Sequence, residues 1–269
     1  MNSNGITVIA EVVAYAAPRP SPADSAATKG QYAVRFAERF AELSSRGLTP
    51  KFPGIEASPR RSAGSVRGAK QLDVNYSTPQ LGLGLGISLK SVHIRESTGG
   101  QRYTHNLKRN EEELRVEASG YHKRQPYAVM VGVMCLPFDS CSDAKGPRNP
   151  SSFGSWVRHL RPFTGRVSPL EEDDRFERIY IALYQPDGSD LRFFDVRTAP
   201  PRNGLPPSQG PLFDSARLEA RPLRLLTFDE FLNEVERCFL ERNHADFTWS
   251  DGDQAEGERE PLASPDDDG

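Results

Sequence analysis

Hydrophobic and polar positions along this chain follow two periods. QYAVRFAERFAELSSRG, Gln31 to Gly47, puts Val34, Ala37, Phe40 and Ala41 on one side. That spacing predicts a helix, with Gly47 as its stop. KQLDVNY, Lys70 to Tyr76, alternates instead. Leu72, Val74 and Tyr76 fall on one side and Gln71, Asp73 and Asn75 on the other, as in a strand. After a turn at STPQ, LGLGLGISLKSV alternates again. Leu81, Leu83, Leu85, Ile87 and Leu89 face one way; Gly82, Gly84, Gly86, Ser88 and Lys90 face the other. RNEEELRVEASGYHKR, Arg109 to Arg124, returns to the helical period with Leu114, Ala118 and Tyr121 as its apolar stripe. YAVMVGVMCLPF is apolar throughout and predicts a central strand covered on both faces. FGSWVRHLRPF reads as a helix, and FERIYIALYQPDGSDLRFFDV as a hairpin around Asp187-Gly188. TFDEFLNEVERCFLERN opens with Thr227 and Glu230 in the spacing of a capping box. The order predicts the α/β class, a mixed central sheet flanked by helices.

The ends differ from this body. Residues 1–28 read as an N-terminal extension and linker, Pro/Ser/Ala-rich from Ala17 to Thr28, preceded by a strand or short helix. Residues 29–249 read as one domain, and 250–269 as a tail disordered by composition. Net charge is -3, but the tail alone carries eight acids and one arginine. Residues 35–125 hold 16 Lys and Arg against 9 acids. A basic body with an acidic tail suits a polyanionic partner, for which the tail could compete. There are three cysteines, Cys135, Cys141 and Cys238, with no CxxC pair. They read as reduced thiols in a cytoplasmic protein without a zinc site. No run of 18 apolar residues predicts a membrane span, and no basic region precedes the N-terminal apolar patch as in a secretory signal.

Lys90 is the odd residue of its strand. If the two strands pair as a hairpin, Asp73 and Lys90 project from their non-apolar faces into one cleft. A carboxylate that binds Mg²⁺ and an ammonium that orients water or steadies phosphate charge suit phosphodiester hydrolysis. The strand glycines would leave room for a nucleic-acid backbone. The bland alternatives are that Asp73 ends a ladder and that Lys90 reaches solvent.

Over residues 30 to 140 the helix, the Asp73 strand, the Lys90 strand, the next helix and the next strand resemble the PD-(D/E)XK, restriction-endonuclease-like nucleases. The resemblance implies a Mg²⁺-dependent endodeoxyribonuclease, with Mn²⁺ as an alternative ion, acting on double-stranded DNA in restriction or defence against foreign DNA. It also leaves room for a homodimer. One position departs from the pattern: Ser88 stands where the family has an acid two residues before the lysine. In some restriction enzymes that read Ser-x-Lys, a glutamate from the following helix takes the vacant place. RNEEELRVEA supplies candidates, with Glu113 first and Glu117 next as metal ligands beside Asp73. Glu111 lies on the other border of the helix stripe, and Glu38 and Glu42 of the first helix are further options. The alternative for Glu113 is an ordinary helix pair with Arg109. The predicted catalytic set is therefore Asp73, Ser88, Lys90 and Glu113.

DNA contacts are expected from Arg102, Lys108, Arg109, Arg124 and Gln125, around the two ends of that helix. Arginine and lysine bind phosphates, and arginine and glutamine also read base edges. Other chemistries lack their motifs. GLGLG runs on into a strand rather than a helix, the histidines show no HExxH spacing, and no serine sits in a GxSxG elbow. The missing acid at Ser88 motivates the rival expectation, a non-catalytic DNA-binding or assembly subunit of the same fold.

Overall fold

The structure is a computed structural model that describes residues 3–58, 72–79, 82–95, 102–143, 151–197 and 225–243. The acidic tail, most of the Arg-rich loop before Asp73, and Leu81 lie outside the described residues. Helix α1 spans Ser3–Ala16 and α2 spans Ala26–Leu48. Strands β1 (Glu56–Ala57), β2 (Val74–Thr78) and β3 (Gly82–Ser91) follow, then α3 (Leu107–His122) and β4 (Val129–Pro137). Helix α4 (Ser152–Leu160), β5 (Arg178–Tyr184), β6 (Leu191–Asp195) and α5 (Phe228–Arg242) complete the order.

The six strands form one sheet in chain order. β1, β2 and β3 are antiparallel neighbours, β3, β4 and β5 are parallel, and β6 returns antiparallel beside β5. This is the mixed sheet with flanking helices that the periodicities predict. β4 is buried at all nine positions because both faces are covered. Side chains of α1, α2 and α5 pack with Val74, Leu85, Val131 and Tyr180 on one face. Leu114 and Ala118 of α3 and Trp156 of α4 pack with Met130, Met134 and Ile181 on the other. The capping box of α5 is present, with Thr227 and Glu230 each bonded to the other's backbone.

Three details depart from the sequence reading. The buried stripe of α2 runs through Tyr32, Phe36, Phe40 and Leu43, and Val34 is exposed. The large aromatic side chains take the core face because they bury more area than a valine. The Gly/Leu alternation of β3 breaks at Gly84, where Tyr76 pairs with Leu85 but Ser77 pairs with Leu83. This bulge turns Leu83 onto the α3 face, while Leu85, Ile87 and Leu89 stay on the α2 face. The segment before residue 29 holds α1, whose Ile9, Val12 and Ala16 are part of the core, and the first turn of α2. Its Arg19 donates to the backbone carbonyl of His93 at 2.7 Å, and Arg35 donates to the carbonyl of Ala16 at 2.8 Å.

His93 follows β3 and is buried between α2 and the end of β5. Its Nδ1 lies 2.7 Å from the Tyr184 hydroxyl, and its ring packs on Phe36 and Tyr32. Burial, helped by the Arg19 charge, pushes its pKa down to about 3. The unfolded chain takes up this proton below about pH 6.5, whereas the folded chain resists it. The stability tied to this neutral ring is therefore complete above about pH 6.5 and is lost as pH falls toward 3. Urea unfolding should show His93 contributing about 2 kcal/mol to the loss between pH 7 and pH 5. His93→Asn, which can still bond Tyr184, should be less stable at pH 7 but lose less over that interval. An unchanged pH slope would contradict the assignment.

Candidate functional site

Ser88 and Lys90 lie in the last four residues of β3, on the side facing α3. In the parallel pairing they sit beside Gly132 and Met134 of β4. Helix α3 lays Leu114 and Ala118 on this face, and the same register brings Glu117 down against the strand. The Ser88 hydroxyl donates to Glu117 Oε2. The Lys90 ammonium donates to Glu117 Oε1 at 2.8 Å. The three side chains thus form one contact between strand and helix. Glu117 is 5% exposed and Lys90 12%. A carboxylate this buried would cost several kcal/mol without partners, so the cation and the hydroxyl are what permit it there.

Glu113, the sequence's first choice, takes the outer place. Its Oε2 lies 3.8 Å from Lys90, it is 30% exposed, and its other oxygen accepts from Arg109 Nε at 2.9 Å. The ordinary helix pair with Arg109 is therefore present, and Glu117 is the glutamate that meets Ser88. One helical turn separates the two, and only Glu117 falls within the buried stripe. Glu111 is 3.7 Å from Arg115 on another side of α3. Glu42 is held by Arg39 and Arg46, and α2 packs on the opposite face of the sheet from α3. Neither Glu38 nor Glu42 of that helix therefore completes the group around Ser88.

Asp73 precedes β2 and is buried. Its N–H donates to the carbonyl of Ile87 at 3.0 Å, and its Oδ2 accepts from the backbone N–H of Leu89 at 2.6 Å. The carboxylate therefore brackets Ser88 along the edge of β3. One of its oxygens does end the ladder, as the plainer reading of the residue expects. Gly84 and Gly86 do not open a path for nucleic acid. A Cβ at Gly84 would meet Phe239 and Tyr76, and one at Gly86 would meet Leu72 and Met130. They are small because protein side chains fill that space.

The carboxylates of Asp73 and Glu117 offer oxygen ligands, the kind a hard cation takes, with the Lys90 ammonium beside Glu117. Among the described residues no three His, Cys, Asp or Glu side chains converge on one point. Mg²⁺ typically takes only one or two protein carboxylates and keeps several waters, and Asp73 and Glu117 are the residues here that could supply them. The three cysteines are free and buried, and burial raises the thiols of Cys141 and Cys238, the latter to about 11. Cys141 and Cys238 are poor nucleophiles and poor ligands in that state.

The residues expected to touch DNA divide between the two ends of α3. Lys108 and Arg109 are exposed on its first turn. Arg102 is half-buried and donates to Ser155 of α4 at 3.3 Å. Arg124 and Gln125 stand past the other end, about 24 Å along the helix from Lys108. There they line a cleft of about 460 Å³ with Ser58, Leu72, Asn75, Ser77, Gly82, Leu83 and Tyr121. Asn75 and Tyr121 were legible in the sequence only as a polar strand position and an apolar helix position. Nothing in their spacing marks a shared hollow, because residues 75 and 121 come together only through the fold.

Among the described residues no helix is long and apolar enough to cross a membrane. No protein-family model matches this chain, and no curated protein or solved structure matches it either.

The two glutamates should differ sharply in their structural weight. Glu117→Ala leaves the Lys90 ammonium buried without its nearest anion and should cost about 3 kcal/mol in urea unfolding. Glu113→Ala removes a largely exposed pair and should cost under about 1 kcal/mol. A larger loss in Glu113→Ala would reverse this order.

Proposed function

We propose that this chain is a Mg²⁺-dependent endodeoxyribonuclease of the restriction-endonuclease-like kind, acting in restriction or defence. The observation that carries the reading is the contact of Ser88 and Lys90 with Glu117. A carboxylate from the following helix stands where the serine leaves the Ser-x-Lys pattern without one. The order of elements supports it too: α2, the segment bearing Asp73, β3 bearing Lys90, α3 and β4 follow one another as the resemblance implies.

On this reading Asp73 and Glu117 would hold the ion, which offsets phosphate charge and lowers the pKa of a bound water. The protein's own groups have distinct tasks. The Leu89 N–H fixes Asp73 from the backbone, so one carboxylate oxygen is held against rotation. The Ser88 hydroxyl fixes Glu117 in the same way from the neighbouring strand. Lys90 carries the positive charge beside Glu117. It orients a water for attack on phosphorus and donates to the phosphate oxygens as negative charge builds there. Lys108 and Arg109 offer phosphate contacts on the exposed first turn of α3.

A second reading has its own observation. Glu117 is already occupied by Lys90 and Ser88, and no three-residue metal cluster is present among the described residues. A closed ion pair of this kind also suits a DNA-binding or assembly subunit that has no catalytic role.

Plasmid cleavage in Mg²⁺ separates the two. The wild type should nick or cut the plasmid, and Lys90→Ala and Asp73→Ala should each be slower by about 100-fold or more. Circular dichroism checks that both variants fold. Cleavage that survives both substitutions would overturn the site. No cleavage by the wild type, with DNA still bound, would favour the second reading.

A further inference from the structure

We infer that the cleft between the β2–β3 hairpin and the end of α3 binds a single unstacked nucleotide of the substrate strand. This rests on the nucleic-acid reading above, but it concerns a different set of side chains. The cleft's volume of about 460 Å³ is that of a small-molecule site, and a half-open hollow of this size admits one nucleotide rather than a stacked duplex.

The lining is chemically mixed in the way a nucleotide requires. Leu72, Leu83 and the Tyr121 ring supply apolar wall. The Arg124 guanidinium lies 5.0 Å from the Tyr121 ring centroid and its Nε donates to the Gly120 carbonyl, so the planar pair is held in place. Tyr121 itself is fixed by a hydrogen bond to the backbone of Leu72. Among the described residues no carboxylate lines the cleft, and Arg124 makes it favourable to an anion.

The two amides are each pinned at one end. Asn75 Nδ2 donates to Ser58 Oγ at 2.9 Å, which leaves Oδ1 as an acceptor. Gln125 Oε1 accepts from the Leu83 N–H at 2.6 Å, which leaves the Nε2 group as a donor. Gly82 makes the second arrangement possible. Its φ is +66°, and a Cβ there would lie 1.9 Å from Gln125 Nε2. A fixed acceptor and a fixed donor beside an aromatic ring match the edge and face of a nucleobase.

The cleft also adjoins the carboxylates. Tyr121 is one helical turn beyond Glu117, about 6 Å on the same side of α3. Leu72 is the residue before Asp73. A base seated against Tyr121 would therefore place its own or the next phosphate toward Asp73, Glu117 and Lys90.

The test is fluorescence anisotropy with the full-length protein in EDTA, so that binding is read without cleavage. The probes are a labelled eight-nucleotide single-stranded DNA and a duplex of the same length. Single-stranded DNA should bind more tightly than the duplex. Tyr121→Leu should weaken that binding about tenfold or more, the range for losing one base stack. Asn75→Ala and Arg124→Gln, which alter side chains reached by solvent, should each weaken it several-fold, and Asn75→Ala should leave duplex binding within twofold. Unchanged single-strand affinity in Asn75→Ala and Arg124→Gln would overturn the inference, even if plasmid cleavage still depends on Lys90. Weakened binding in those variants of a protein that never cleaves would keep the cleft and remove the nuclease reading.

Discussion

The contact of Glu117 with Lys90 and Ser88 constrains this side of the molecule more than any other. A carboxylate and an ammonium are both withdrawn from water at the joint between β3 and α3. Such a pair is costly to bury and tolerates little misplacement, because either group left alone would be an uncompensated charge. It therefore fixes the rotation and register of α3 on the sheet, together with Leu114 and Ala118. That rotation in turn decides which glutamate meets the strand, where Tyr121 lies, and how far Arg124 and Gln125 reach toward β2.

A second buried network anchors the opposite end of the strands. Glu177 accepts from Arg166 and Arg242, both at 3.1 Å, and from the N–H of Met130 at 2.7 Å. These bonds tie α5 and the entry of β5 to β4. The parallel centre of the sheet is thus held between two polar joints. The difference between them is exposure to the surface: the Glu117 joint opens through half-exposed Glu113 and adjoins the cleft, whereas the Glu177 joint is enclosed.

The sheet was legible because its strands obey their periods. The unbroken apolar run of β4 predicts a strand covered on both faces, and the Asp187-Gly188 turn predicts the β5–β6 hairpin. What failed was local. The bulge at Gly84 cannot be seen in a sequence where glycine and leucine alternate perfectly, because a one-residue slip leaves the pattern unchanged in appearance. Gly84 and Gly86 looked like space for a ligand, yet Leu72, Met130, Tyr76 and Phe239 occupy it. Helix α1 was ambiguous because a short apolar segment fits a strand as well as a helix.

The candidate site was legible in its membership and less so in its ranking. Ser88, Lys90 and the α3 glutamates could be named from spacing and resemblance. Choosing between Glu113 and Glu117 needs the angle at which α3 meets β3, and that angle is set by packing across the sheet. The cleft could not be named at all, since Asn75 and Tyr121 are brought together only by tertiary structure. The account as a whole turns on whether Asp73 and Glu117 together hold a cation. Anomalous diffraction from crystals soaked in Mn²⁺ measures this directly. It should show one peak about 2.1 Å from a carboxylate oxygen of each residue. A peak elsewhere, or none with Glu117 still closed on Lys90, would contradict it.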